Sequence, residues 1–440
     1  MHARRLLISS LQRRSQQQCL QQSSIPRIAI VRCGSQTAYR GATWCSRNLV
    51  GRVACDRWFH TTHIKRDGSS DSRSDLSPYY RNTLGQLPRQ ANDMDRPYPS
   101  TTEDGYYTIS FYSFFAIPES RLQALRDKIQ NEWGKDLNIV GRIYIYDQGI
   151  NAQLSIPEDN VEELRKWLED NHTFTGRIPP FNWAIEHRRA FKSLHVRVRP
   201  LVATDIPLSL ETLSREPEYL QPDEWERELR DLDKDALLVD MRNNYEYRIG
   251  RFENAVCPDV DTFREEMKVV RDMCKTRDQP IYMYCTGGIR CSIAGAILKS
   301  EGHTNVKTLQ GGVVAYGKYV RNNPNKQLSI FRGKNFTFDK RLGEEVTTDI
   351  LSKCDQCGGE CDTFTNCANT SCNLLFVQCS KCAEKHHRTC GTKLCIKRAQ
   401  MSHEELVKDR MGPIWNYHLR VRPEKVFDEH GVAQSNRIKH

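Results

Sequence analysis

Between residues 107 and 198 the apolar positions change period in a regular order. Residues 107–115 alternate apolar and polar side chains (Tyr107-Thr-Ile-Ser-Phe-Tyr-Ser-Phe-Phe115), which predicts a half-buried strand. Residues 120–133 place Leu122, Leu125 and Ile129 on one helical face, and residues 159–171 do the same with Val161, Leu164, Trp167 and Leu168. Two strand patterns, 139–146 and 150–156, flank the turn Asp147-Gln148-Gly149, and two more fall at 183–187 and 194–198. The resulting β-α-β-β-α-β order predicts a ferredoxin-like or acylphosphatase-like α+β domain over residues 105–202.

A different rhythm follows. Residues 203–225 read as a proline- and glutamate-containing connector. Then strands at 236–240, 281–284 and 306–309 alternate with helical patterns at 262–270, 292–299 and 313–319. Strands and helices alternating on this scale predict an α/β domain with a parallel sheet over residues 226–325. Beyond it the apolar periodicity stops: residues 350–398 are cysteine-rich, and residues 399–440 form a basic tail with one helical pattern at 402–410.

The strand at 281–284 runs into Cys285-Thr286-Gly287-Gly288-Ile289-Arg290-Cys291. A tight loop between a buried strand and a helix aims backbone N–H groups and the positive helix end into its own centre. A cysteine at its mouth is stabilised as the thiolate, the nucleophilic form, and Arg290 adds a fixed positive charge. The alternative for Cys285, a core thiol at a strand end, does not account for the paired glycines and the arginine. The spacing Cys-x4-Arg is one residue shorter than the Cys-x5-Arg loop of tyrosine phosphatases and disfavours phosphate chemistry. It resembles the rhodanese sulfurtransferases, whose loop holds a cysteine persulfide. Cys291 is a candidate second thiol, either resolving the sulfur or capping the helix. Asp240 and Arg242, at the end of the first strand of this domain, read as a structural pair.

Composition adds three points. Nine of the 17 cysteines fall between Cys354 and Cys395, at Cys354, Cys357, Cys361, Cys367, Cys372, Cys379, Cys382, Cys390 and Cys395. Two Cys-x-x-Cys pairs in this run are metal spacing, predicting two structural zinc sites with one cysteine left over. His386 or His387 is a possible replacement ligand, and iron–sulfur is the alternative metal. Residues 1–55 contain no Asp or Glu but many arginines among Ser and Gln, the pattern of a mitochondrial transit peptide, taken here as residues 1–66. A disordered basic arm is the alternative; residues 67–104 read as a disordered linker, and no apolar run is long enough for a membrane span. The net charge of +10 is locally concentrated: His187, Arg188, Arg189, Lys192, His195, Arg197 and Arg199 lie beside Phe181, Trp183 and Phe191. Cations interleaved with rings suit RNA, with a solvated basic face as the alternative.

Taken in order, residues 106–395 resemble the rhodanese-domain tRNA uridine hydroxylases. The resemblance is carried by Tyr284-Cys-Thr-Gly-Gly-Ile-Arg-Cys291, Cys257-Pro-Asp-Val-Asp-Thr-Phe-Arg264, Arg142-Ile-Tyr144, Gly149-Ile-Asn151, Phe191-Lys-Ser-Leu-His-Val-Arg197 and the cysteine block from Cys354 to Cys379. The chain departs from the family pattern at Gln148, Ala152-Gln153, Met241 and Pro200-Leu201. The resemblance implies 5-hydroxylation of the wobble uridine with molecular oxygen as co-substrate, the tRNA anticodon loop as partner, and Cys285 as catalytic residue in persulfide form. The transit-like extension adds a mitochondrial matrix location. Two other readings stay open: a sulfurtransferase moving sulfur from a donor such as thiosulfate to a thiol without RNA, and a non-enzymatic sulfur carrier or adaptor.

Overall fold

The computed structural model describes residues 104–200, 205–323 and 329–408. The transit-peptide reading (1–66), nearly all of the linker and the tail past residue 408 lie outside the described residues. Among the described residues no helix is long and apolar enough to cross a membrane.

The first domain is a five-stranded sheet in the order β4-β1-β3-β2-β5, with two helices on one face. Its strands are β1 (Tyr106–Phe114), β2 (Val140–Tyr146), β3 (Gly149–Pro157), β4 (Asn182–Trp183) and β5 (Leu194–Val198); its helices are α1 (Glu119–Asn131) and α2 (Val161–Asp170). The period-two alternation decides which residues face the helices. Ile109, Phe111, Ile143, Ile145, Ala152 and Leu154 are buried there with Leu125, Ile129, Leu164 and Leu168. Ser110, Tyr112, Tyr144, Asn151 and Gln153 belong to the opposite, polar face. β5 runs parallel to β2, pairing Arg142 with His195 and Tyr144 with Arg197, so these four share that open face. The expected strand at 183–187 stops after Trp183, because the Ile185 and Glu186 amides donate instead to the Glu344 carboxylate, at 3.1 and 3.0 Å.

The second domain centres on a parallel sheet in the order β6-β10-β9-β7: β6 (Glu218–Leu220), β7 (Leu237–Asp240), β9 (Ile281–Tyr284) and β10 (Val306–Leu309). The connector expected over 203–225 therefore contains the short helix α3 (Leu210–Leu213), an edge strand and the start of helix α4 (Pro222–Arg230). That helix is signalled by Pro222 at its first position and a Gln221/Glu224 capping box. Helices α6 (Phe263–Met273) and α7 (Ile289–Ser300) bury Met267, Val270, Ile293 and Ile297 on one side of the sheet. α4 and α8 (Gly312–Asn322) bury Trp225, Val313 and Tyr316 on the other. Between β7 and α6 stand the short helix α5 (Asn244–Ile249) and strand β8 (Gly250–Phe252), the latter paired with β11 (Phe331–Asn335).

The third unit packs a small hairpin, Phe364–Asn366 with Leu375–Val377, between cysteine loops. It is tied to the second domain by Arg248–Asp355 (2.6 Å), Lys334–Asp362 (2.9 Å) and the edge-on rings of Tyr245, Phe336 and Phe364.

The pair Asp240–Arg242 is fully buried and bidentate, with Nε–Oδ1 2.8 Å and Nη2–Oδ2 2.7 Å. The Tyr284 hydroxyl donates to Asp240 (2.6 Å), and Arg242 donates to the Gly250 carbonyl (2.6 Å) and stacks over the Tyr284 and Phe331 rings. Removing one partner strands the other charge without water. Asp240→Ala is expected to lower stability by about 3–5 kcal/mol, read as a shift of the chemical-denaturation midpoint.

Candidate active site

Cys285 is 1% exposed and stands where β9 ends and the loop to α7 begins. Gly288 caps α7 with φ +100°, a conformation L side chains rarely adopt, and its N–H donates to Cys285 Sγ at 3.2 Å. The loop carbonyls are held by the next helix: Val313 N–H donates to the Cys285 carbonyl (2.9 Å) and Val314 N–H to that of Thr286 (3.1 Å). This approach requires Gly312, since a Cβ there would stand 2.4 Å from the Cys285 oxygen.

Arg290 points into a buried carboxylate. Its guanidinium meets Glu246 at 2.9 and 3.0 Å, and the Thr286 hydroxyl donates to the same carboxylate at 2.6 Å. Glu246 is fully buried on α5, placed there by the Asn243/Glu246 capping box. Burial works against its charge, but Arg290 and the hydrogen bonds prevail and hold the carboxyl below the usual range.

Burial likewise opposes a charged Cys285, yet the Cys291 thiol, Arg290 and the Gly288 amide outweigh it and bring the thiol down to about 6. Cys291 is pushed in the opposite direction, by burial and by its bond to Cys285. It is therefore a neutral S–H donor behind the reactive sulfur. Glu266 on α6 is buried and raised to about 8, chiefly by burial, so it is uncharged at neutral pH and spares the thiolate a further negative neighbour.

In front of the loop lies a cavity of about 800 Å³. One wall is Cys285, Thr286, Gly287, Ile289 and Arg290; the facing wall is the polar side of the first domain's sheet, with Tyr112, Arg142, Tyr144, Asn151 and Gln153. The segment 337–344 borders it, contributing Phe338, Asp339, Arg341 and Glu344. The two domains are bonded beside the loop: Tyr112 hydroxyl to Ser292 hydroxyl (2.8 Å), and Asn182 Nδ2 to the Gly311 carbonyl (2.8 Å). Arg142 donates to the Phe338 carbonyl (2.9 Å), and Arg290 lies over the Phe338 ring.

The basic residues singled out in the sequence separate. Arg199 lines the cavity beside the Tyr144 ring, and Arg197 is exposed on the same sheet face. Arg189 and Lys192 are exposed outside the cavity, while Arg188 is half-buried, its carbonyl taking the Thr108 and Ser155 hydroxyls. His187 is a correction: it is buried against Tyr107 and Trp183, accepts the Thr108 N–H, and is brought down to about 4 mainly by burial, so it carries no charge for a phosphate. Glu246 and Tyr112 were missed from the sequence. The Asn243-x-x-Glu246 cap was the available signal for the first, whereas the second depends on domain packing.

Eight of the nine clustered cysteines form two groups of four, Cys354/Cys357/Cys379/Cys382 and Cys367/Cys372/Cys390/Cys395, with the sulfurs of each within 4.8 Å of one another. That convergence suits a tetrahedral thiolate-bound metal. Amides are aimed at the sulfurs, Cys379 N–H at Cys354 (3.3 Å) and Asn369 Nδ2 at Cys395 (3.3 Å), as metal-bound thiolates require. Cys361, counted among the candidate ligands, belongs to neither group; it packs in the apolar cluster with Phe364 and Val377. His386 and His387 are also outside both groups.

A thiol brought to about 6 fixes a pH profile, because only the thiolate reacts. Alkylation of Cys285 by iodoacetamide is expected to rise through pH 6 and level off before pH 8. In Cys291→Ala, which lacks the S–H donor, the inflection moves to higher pH. The site of alkylation is read by peptide mass spectrometry.

Three family descriptions tile the chain: "UPF0176 acylphosphatase like domain" over residues 106–202, "Rhodanese-like domain" over 222–319 and "Rhodanase C-terminal" over 332–396. A tRNA uridine(34) hydroxylase from Enterobacter sp. is 41% identical over 309 residues, covering 69% of this chain and 86% of the relative. The protein of the same name from Leptospira interrogans is 37% identical over 332 residues, covering 74% and 88%. At this identity over most of the length of both proteins, the chain belongs to the tRNA uridine(34) hydroxylase family.

Proposed function

We propose that this chain hydroxylates C5 of the wobble uridine of tRNA, with Cys285 as the reacting sulfur. The observation that carries the reading is the cavity shared by the cysteine loop and the polar sheet face. A wobble base is unpaired in its loop and can be splayed into such a pocket, as bases are in other base-modifying enzymes. Tyr112 and Tyr144 offer rings, and Asn151 and Gln153 offer carboxamides that match the donor and acceptor edge of uracil. Arg142, Arg197 and Arg199 extend the same face and supply charge for the flanking phosphates. Replacing C5–H by C5–OH is a two-electron oxidation; with molecular oxygen as the proposed co-substrate, one oxygen atom enters the base and the other leaves as water with two electrons from an external reductant.

Zinc is the proposed ion of the two four-cysteine groups. Four thiolates from each group would fill the tetrahedral shell of such an ion, which would brace the unit and leave no open position for chemistry. The proposed location is the mitochondrial matrix, with residues 1–66 as the transit peptide.

Nucleoside mass spectrometry of mitochondrial tRNA from cells lacking the protein tests the activity. Loss of 5-hydroxyuridine is expected, with rescue by the wild type and none by Cys285→Ala. Unchanged 5-hydroxyuridine would refute the reading and turn attention to sulfur transfer from a donor such as thiosulfate to a thiol. Elemental analysis of the purified chain is expected to give two zinc ions per molecule. Cys372→Ser is expected to lose one of them, while Cys361→Ser keeps both.

A further inference from the structure

We propose that Cys285 Sγ bonds transiently to C6 of the target uracil, so that the reaction passes through a covalent protein–RNA adduct formed before oxygen is engaged. The inference rests on the functional reading above and specifies how the cysteine serves it.

The argument starts from the base. C5 of uracil is part of a double bond conjugated to the C4 carbonyl, which makes C6 the carbon that accepts a soft nucleophile. C5 itself is unreactive toward oxygen until electron density is raised there. A thiolate adding to C6 does that: the S–C6 bond forms, and the π pair of C5=C6 moves to C5 and onto O4 as an enolate. Among the residues lining the cavity, Cys285 is the one thiol.

The loop is arranged for this use of the sulfur. Gly288 N–H at 3.2 Å and the Cys291 thiol hold the sulfur in its anionic form. At Gly287 no atom lies within 4 Å of where a Cβ would stand, so the outer side of the loop is open. Arg290, the cation that an anionic donor such as thiosulfate would need, is spent on Glu246 through two hydrogen bonds and on the Thr286 hydroxyl at 3.1 Å. A neutral electrophile fits such a loop better than an anion does. Across the cavity, the Asn151 and Gln153 carboxamides provide N–H donors for the charge that gathers on O4.

The step conserves atoms and electrons without a redox partner. With oxygen excluded, the enolate takes a proton at C5 from solvent; loss of a C5 proton and expulsion of the thiolate then restore uracil. In D2O the net change is deuterium for hydrogen at C5.

The test uses the full chain, a substrate tRNA transcript and oxygen-free D2O. Nucleoside mass spectrometry is expected to show the wobble uridine heavier by one mass unit with the wild type and unchanged with Cys285→Ala. A transcript containing 5-fluorouridine, whose C6 is more electrophilic, is expected to give a complex that survives denaturing electrophoresis. Peptide mapping of that wild-type complex places the nucleotide on Cys285, independently of whether the variant folds. An adduct with an extra sulfur atom between Cys285 and the base would overturn the thiolate as the attacking group. Neither exchange nor adduct, from protein that hydroxylates the same tRNA in air, would overturn the proposal alone. If hydroxylation is absent as well, the functional reading beneath it falls too.

Discussion

A thiolate can lie beneath a protein surface only if donors and charge replace the water it has lost. Around Cys285 these replacements come from separate parts of the chain. The Gly288 amide and the Cys291 thiol come from the loop and the start of its helix, and the guanidinium comes from Arg290. Arg290 in turn is oriented by Glu246, a residue forty-four positions away whose burial would be untenable without that partner. Each ion makes the other's burial tolerable, in the way Asp240 and Arg242 do behind them. The parallel sheet brings the ends of β7 and β9 side by side, which is why these two pairs and the sulfur share one end of the domain.

The same constraint explains why the first domain is docked where it is. A cysteine loop open to bulk water would react with any electrophile of the right size. Here the polar sheet face stands opposite the loop, and Tyr112 bonds to Ser292 on the helix that follows the cysteine. Ser292 also donates to the Gly288 carbonyl (3.2 Å), so a hydroxyl chain links the first domain's sheet to the residue that caps the reactive helix.

Much of this was legible in the sequence because it is local. The strand–Cys–Gly-Gly–Arg–helix pattern contains the loop, and period-two alternation separates the helix-packed face of β1 from its polar face. What was not legible depends on residues far apart in the chain. Glu218–Leu220 has too few residues to show a period, and becomes a strand by pairing with Val306–Leu309. His187 sits in a run of cations and reads as one of them, yet the neighbouring rings of Tyr107 and Trp183 bury it uncharged. The cavity is less legible still. Its walls come from stretches scattered between Thr108 and Glu344, and neither Gln153 nor Phe338 carries a local sign of facing Cys285.

The cysteine-rich unit shows how far spacing alone can go. Nine thiols and two Cys-x-x-Cys pairs fix the number of sites but not the partition, which the hairpin decides. Cys367 follows its first strand and Cys372 precedes its second, so these two meet the later pair Cys390/Cys395, while Cys354/Cys357 meet Cys379/Cys382 across the hairpin's other end. The two sites are therefore interleaved along the chain, each closing a loop that contains ligands of the other. The apolar cluster between them is small, so the convergent cysteines carry much of the unit's cohesion. The unit reaches the catalytic loop through Tyr245 and Arg248, on the same short helix as Glu246. Bracing that helix from behind keeps the Glu246 carboxylate aimed at Arg290, and so couples the distant cysteine-rich unit to the charge state of Cys285.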